Sequence, residues 1–282
     1  MPTPTNAPEY PAAPGNSDTK SSSDRFLSLL QAEASTFNNA LATGSGEWIV
    51  KGFVDVFRNV YTISADTKVI SKLIELMLFP VFIEFASRNN LHIVLAREQN
   101  HYPDLTFIND SDEKFAVDLK STYRTNEKSV NGMTLGAFTG YFRDRNSSKN
   151  TTFPYSSYTG HFVLGVIYSR IESNPDEMKR FTIEELESIP SVVRDFKFFV
   201  QPKYRIAIDR PGSGNTKNIG SVNSISQLTE GTGPFSEFDE SVFDDYWMYY
   251  LTADMARTVE LVKPPYSNLK TYFDYKESRG II

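Results

Sequence analysis

The chain has 282 residues, 40% of them apolar and 13% aromatic, enough to bury a sizeable core as one large domain or two small ones. Its 35 acidic residues against 29 basic ones give a net charge of −6, which excludes a uniformly basic nucleic-acid binder, so any contact with DNA must rest on local patches. With no cysteine and three histidines, disulfides and thiolate metal sites are excluded and a histidine-rich zinc centre is not expected.

Residues 1–24 hold five of the 15 prolines and almost no large apolar side chains, and read as a disordered tail. Residues 25–282 read as one folded domain. The N-terminus lacks a basic-then-apolar leader pattern, and no apolar run reaches the roughly 18 residues of a membrane span, so no membrane association is expected. The absence of cysteine suits a reducing cytoplasm.

In chain order, Phe26–Leu41 has apolar residues at helical spacing and is expected as one helix. Gly46–Ile63 is aromatic and β-branched, hence extended. A helix starts at the cap Asp66 and runs through Thr67–Asn90. It is apolar nearly all round and therefore expected buried, with Pro80 kinking or splitting it. Leu91–Arg97 reads as a buried strand. "LTFIN" and "KFAVDLK" follow as two more, joined by the polar turn "DSDE". His161–Arg170 is another buried strand. Thr182 and Glu185 form a capping box for a short helix, "FKFFV" and "YRIAID" are strands, and Glu240–Arg257 is the last long helix. The alternation predicts an α/β domain, a mixed β-sheet flanked by helices on both sides.

Charge is uneven along this frame. Residues 120–149 carry six bases against two acids and 197–220 five against one, whereas 230–246 carry six acids and no base. Within the strand "KFAVDLK", Asp118 and Lys120 are two apart and share a face. A turn centred near Ser111 and Asp112 places Asp104 opposite Asp118. Two carboxylates so close need a cation between them or a proton on one. A hard divalent ion with oxygen ligands fits, and Mg²⁺ needs only one or two protein carboxylates beside a substrate phosphate. A lysine beside it would stabilise charge developing at phosphorus. An ordinary ion pair on an exposed strand face is the competing reading. Val117 and Leu119 point the other way and look buried, which makes the strand central and leaves its polar face in need of partners.

Pro103-Asp104 followed by Asp118-Leu119-Lys120 matches the PD-(D/E)xK nuclease signature. The stretches "SADTKVISKLIELMLFP", "QNHYPDLTF", "AVDLKSTY", "TLGAFTGYFR", "FPYSSYTGH", "GSGNTKNIGS" and "FDDYW" resemble, in this order, the type II restriction endonucleases of the EcoRV kind over roughly residues 64–247. The resemblance implies a restriction-endonuclease-like core and Mg²⁺-dependent double-strand cleavage of a short palindrome in DNA, GATATC or close to it, with blunt ends. It implies a homodimer working beside a cognate DNA methyltransferase. By the same resemblance Asp104 and Asp118 are metal-binding carboxylates and Lys120 is the catalytic lysine. Glu75 is a helix carboxylate supporting a second metal position. Gln99, Asn100 and His101 form a loop approaching the minor groove. Thr67, Lys68, Ser121 and Thr122 stand where backbone phosphates could be contacted. Gly212, Ser213, Gly214, Asn215, Thr216 and Lys217 form the major-groove recognition loop. That loop fits neither the Walker pattern nor GxGxxG, and without the resemblance it reads as a flexible hairpin turn. An asparagine in it can bond adenine bidentately. Two residues depart from the family's pattern: Lys217 stands for a smaller residue and Gly140 for a serine. Another PD-(D/E)xK nuclease (repair, nicking or junction-resolving) and a catalytically inactive DNA-binding descendant remain the alternative functions.

Overall fold

The computed structural model describes residues 21–98, 100–172, 178–212 and 216–281. Of the tail read over 1–24, residues 1–20 lie outside that description. Ser22–Asp24 already form the first turn of α1 (Ser22–Ala32), whose cap Ser21 accepts the Asp24 amide at 3.0 Å. The single helix expected over Phe26–Leu41 breaks at Glu33, and α2 (Ala34–Leu41) follows. Glu33 is buried and meets Arg88 at 2.9 Å, and the break lets the two halves pack on different neighbours. Phe26 of α1 stacks on Phe115, while Phe37 of α2 packs between Phe82 and Phe198.

The extended stretch becomes a hairpin of β1 (Gly52–Val54) and β2 (Asn59–Thr62). Asp55 shapes its turn by accepting the amides of Phe57 and Asn59, with Arg58 in the left-handed region at φ 66°. Then comes α3 (Thr67–Arg88), capped by Asp66 through the amides of Lys68 and Val69. Pro80 neither ends nor splits it. The proline lies on the exposed face, where a carbonyl freed from the ladder meets water. Nor is α3 buried all round: Ile70, Ile74, Leu78, Phe82 and Phe85 face the core, whereas Leu76 and Ile83 are exposed.

A five-stranded sheet forms the centre. Its strands are β3 (His92–Leu95), β4 (Leu105–Ile108), β5 (Lys114–Tyr123), β7 (Tyr158–Arg170) and β9 (Val193–Pro202), in the order β3-β4-β5-β7-β9. Only β5 and β7 are parallel, so the sheet is mixed as expected. β3 is an edge strand and is half-exposed, not buried. β6 (Thr134–Ala137) belongs to a separate three-stranded sheet, and β8 (Arg180–Thr182) adds to β2 outside the central one. The Thr182–Glu185 capping box is present, but the turns it opens (Ile183–Ser188) are 3₁₀ rather than α.

After β9 a single turn, α4 (Lys203–Ile206), leads into the ribbon of β10 (Ala207–Pro211) and β11 (Asn218–Ser221). β11 pairs with β6, giving the order β10-β11-β6. α5 (Ile225–Glu230) and α6 (Glu240–Tyr249) follow. The long helix expected to Arg257 breaks after Tyr249 because Thr252 caps a new one, α7 (Ala253–Thr258). A last helix, α8 (Leu269–Ser278), is capped by Asn268 and anchored by Asp209, which accepts the Leu269 amide.

Two aromatic-rich cores lie on the two faces of the sheet. Leu105, Phe107, Val117, Leu164 and Val166 pack with α1, α2, α3 and Trp48. Ala116, Val163, Ile167 and Phe199 pack with β6, β11, α6 and Trp247. Lys120, Gly165 and Phe199 are cross-strand neighbours in one row. A Cβ at Gly165 would stand 2.0 Å from the Phe199 ring. Gly165→Ala should therefore destabilise the fold by about 2–3 kcal/mol, as overpacking of a rigid core does, read as a lower urea midpoint.

Candidate active site and DNA cleft

The hairpin between β4 and β5 sets the site. Asn109 Oδ1 accepts the amides of Ser111 and Glu113, both at 3.0 Å, and Asp112 takes φ 60°, which closes the turn. The register that follows pairs Leu105 with Val117 and Thr106 with Ala116. One step further along it, Asp104 stands against Asp118. Asp104 Oδ2 accepts the Leu119 amide at 2.7 Å, and Lys120 Nζ lies 2.7 Å from Asp118 Oδ2 and 3.9 Å from Asp104 Oδ2. The three charges converge as the spacing predicts. Alternation along β5 sends Val117 and Leu119 into the core beneath α3 and turns Asp118 and Lys120 the other way.

Asp118 is buried, and the side chains of Asp104 and Lys120 are 31% and 25% exposed. Burial, then the Asp118 charge, push the Asp104 carboxyl up to about 7 against the pull of Lys120. For Lys120, burial alone would favour the neutral amine, but Asp118 and then Asp104 prevail and hold its pKa above the usual lysine value. A carboxyl with so high a pKa beside a second carboxyl is a place where a hard cation replaces a proton. Two carboxylates suffice for Mg²⁺ completed by water and phosphate, so the residues fit that ion. Among the described residues no cluster of three His, Cys, Asp or Glu side chains has metal-holding geometry. Glu75, expected to act as a metal carboxylate, is not brought into such a set. It lines a cavity of about 110 Å³ with Asp104 and Lys120, but its carboxylate is paired with Lys72 at 2.8 Å.

From this cavity a cleft of about 600 Å³ opens over the first turns of α3 and the end of β5. Thr67, Lys68, Ser71 and Lys72 line one wall, each exposed or half-buried, and Ser121 faces Ser71 with the two hydroxyls 2.6 Å apart. Thr122 also lines it, but its hydroxyl is buried and donates to the Asn131 carbonyl at 2.6 Å, so it ties down the 131–134 segment instead of facing a phosphate. Asn131, Gly132, Met133 and Thr134 continue into a second space of about 860 Å³ bordered by Arg210, Pro211, Gly212 and Asn223. The Gly212 amide donates to the Asn218 carbonyl at 3.0 Å across the β10–β11 ribbon. Lys217 is exposed, with its carbonyl accepting the Phe138 amide, whereas the Thr216 hydroxyl is buried without a hydrogen-bond partner among the described residues. Ser213, Gly214 and Asn215, which follow β10 in sequence, and Gln99 lie outside the described residues. Asn100 is exposed and His101 half-buried, its amide donating to the Glu98 carbonyl; neither is among the residues lining the two spaces.

Several cleft residues escaped the sequence reading, among them Ser71, Asn131 and Gly136. Ser71 sits one turn from both Lys68 and Glu75, a spacing that was there to be used. Gly136 and Asn131 gave no such signal, because Gly136 comes to the cleft through the pairing of β6 with β11 and Asn131 through its bonds to Thr122 and Tyr123 of β5.

The family model described as "Restriction endonuclease EcoRV" matches residues 44–277. The type II restriction enzyme EcoRV of Escherichia coli is 35% identical over 237 residues, covering 83% of this chain and 93% of that protein. The family match extends past residues 64–247 in both directions, from just after α2 into the last turn of α8. With the PD…DxK hairpin folded as that signature requires, the chain belongs to the EcoRV family of type II restriction endonucleases, enzymes that hydrolyse DNA.

Proposed function

We propose that this enzyme cuts both strands of a short palindromic DNA site, GATATC or one close to it, bluntly at its centre, with Mg²⁺ as cofactor. The observation that carries the reading is the Asp104–Asp118–Lys120 constellation at the end of a cleft that leads to the β10–β11 ribbon. Asp104 and Asp118 would hold the ion, which when bound supplies Lewis-acid polarisation of a phosphate oxygen and activation of water. Lys120 keeps its positive charge at neutral pH and stands ready for the charge that develops at the scissile phosphate. Thr67, Lys68 and Ser121 border the path of a phosphate backbone and would position it. Gly212, Ser213, Gly214, Asn215, Thr216 and Lys217 would read base edges, with Asn215 on an adenine. Gln99, Asn100 and His101 would approach from the other groove, and Glu75 would act behind the site through its pair with Lys72. A cognate methyltransferase in the same cytoplasm would protect host sites. No helix among the described residues is long and apolar enough to cross a membrane.

The enzyme is further proposed to act as a homodimer, since one site cuts one strand and a palindrome calls for two related by a two-fold axis. The hairpin of β1 and β2 supports this. Phe53, Val54, Val56 and Phe57 are all at least half-exposed there, an apolar patch suited to a second copy.

The direct test is digestion of a plasmid library carrying randomised six-base sites, with both ends of each product sequenced. Blunt ends at one palindrome are expected, and excess chelator should stop the reaction. Staggered ends, or cutting that persists in chelator, would overturn the site or the metal requirement. Sedimentation of the same sample should return the mass of two chains; a single-chain mass with cognate DNA bound would refute the dimer.

Asp118→Ala and Lys120→Ala should each lower the single-turnover cleavage rate by about a hundredfold or more while the far-UV spectrum stays unchanged. Near-normal cutting by either variant would remove the hairpin from the chemistry.

Asp104 generates a stability prediction as well. Its folded-state pKa, about 7, is raised above the 3.8 of an ordinary aspartate. The stability it contributes is therefore complete below about pH 4 and is lost as pH rises through 7. Asp104→Asn keeps an acceptor for the Leu119 amide and removes the repulsion. In metal-free buffer the variant should gain on wild type as pH rises from about 4 to 7, reaching on the order of 1–2 kcal/mol once partial exposure is discounted. Added Mg²⁺ should stabilise wild type and leave the variant unmoved; parallel pH–stability curves for the two would contradict the assignment.

A further inference from the structure

Lys203, at the start of α4, is 1% exposed. Its Nζ has no hydrogen-bond partner among the described residues. Aromatic rings surround it instead, with the centroids of Tyr102, Phe142 and Tyr155 at 4.9, 5.9 and 6.0 Å. Cation–π contacts lessen the cost of burying an ammonium but do not replace a counter-charge. Gly136 shapes the roof of this box. It has φ +107°, and a Cβ there would stand 3.3 Å from Lys203 Nζ and 3.2 Å from Tyr141 Oη. The same glycine lines the cleft with Lys120, Ser121 and Thr122. The ammonium therefore lies directly under a bare stretch of cleft floor.

Four charged groups act on it: Asp118 most strongly, then Lys120, Asp244 and Glu240. Asp244 is already held by Arg145 at 2.6 Å. Burial lowers the pKa of Lys203 to about 8 with Asp118 opposing, so the ammonium form still predominates at neutral pH. Two ammonium groups, Lys120 and Lys203, thus face two carboxylates, of which Asp104, raised to about 7, is only partly ionised at neutral pH, so the set carries no net negative charge. A divalent ion entering it adds to an excess of positive charge, which a DNA phosphate arriving in the cleft offsets.

We propose that Lys203 is a positioning residue of the nuclease site: its buried ammonium, boxed by Tyr102, Phe142 and Tyr155 beneath Gly136, completes the neutralisation of Asp104 and Asp118 in the DNA-free enzyme and so makes loading of the divalent metal depend on DNA. This rests on the metal-binding role proposed above for the two aspartates.

Mn²⁺ binding to the DNA-free protein, followed by the loss of the free-ion EPR signal, tests it. Lys203→Met and Lys203→Gln remove the charge and should bind Mn²⁺ about three- to tenfold more tightly than wild type, since a like charge nearby is gone. Lys203→Arg keeps the charge and should bind as wild type does. Loosened packing would weaken binding, so the direction of the change separates an electrostatic role from a merely structural one. Thermal unfolding of each variant accompanies the titration. Equal or weaker binding by the neutral variants overturns the proposal, as does failure of both of them to fold, which would make Lys203 a structural cation. Asp118→Ala serves as the control. If it binds Mn²⁺ as well as wild type, the metal site itself is wrong; if it loses binding while Lys203→Met matches wild type, only the role of Lys203 fails.

Discussion

Two carboxylates on neighbouring strands repel each other through a medium that screens far less than water, and at Asp104 and Asp118 the fold cannot separate them. The turn built on Asn109 fixes the register of β4 on β5, and β5 is clamped on its other edge by ten consecutive residues paired to β7. Sliding the hairpin by one residue would turn Val117 and Phe115 out of their core. The hydrophobic pattern that stabilises the sheet thus also enforces the electrostatic conflict. Lys120 relieves part of it, the raised pKa of Asp104 records what is left, and a divalent cation would relieve the rest.

The two cores divide the labour around this conflict. Beneath the sheet, α1, α2 and α3 supply a rigid aromatic layer, and α3 continues past it to present Thr67, Lys68 and Ser71 to the cleft. Above it, the β10-β11-β6 sheet forms the opposite wall and carries the ribbon proposed to read bases. α4 joins β9 of the central sheet directly to β10 of the upper one, so the wall proposed to meet DNA is covalently adjacent to the strand that pairs with β7. Thr122 ties the central sheet to the upper wall, and Ser221 ties that wall to itself. Thr122 reaches the Asn131 carbonyl, and the Ser221 hydroxyl accepts the Met133 amide.

Much of the central sheet was legible in the sequence because its strands carry the period and the turn chemistry that short-range physics rewards. The register around Ser111 followed from the turn residues alone, and with it the meeting of Asp104 with Asp118 and Lys120. Departures arose where tertiary contacts overrode local pattern. Glu33 interrupts a helical run because Arg88 claims its carboxylate. Pro80 continues a helix because it faces water. β3 is half-exposed because it ended up at the edge, which no local pattern reveals. α8 was overlooked because its sequence is polar on most sides and its anchor, Asp209, lies 60 residues earlier. At the site, the resemblance points to Glu75 but not to its partner Lys72, and it places Thr122 at a backbone phosphate although the Asn131 carbonyl takes its hydroxyl. Lys203 offered no signal whatever, since an isolated lysine among aromatics looks like surface until the chain is folded.

Trp48 and Trp247, the chain's two tryptophans, stand on opposite faces of the central sheet, each wholly buried. The intrinsic fluorescence of the enzyme is therefore a sum of two signals from separate layers. Trp48 reports the layer of α1, α2 and α3; Trp247 reports the layer that carries the cleft wall. A chain with either one replaced by phenylalanine turns an ordinary melting curve into a record of one face. The pair of curves would then tell whether the sheet transmits unfolding from one layer to the other or lets the recognition side loosen while the far side holds.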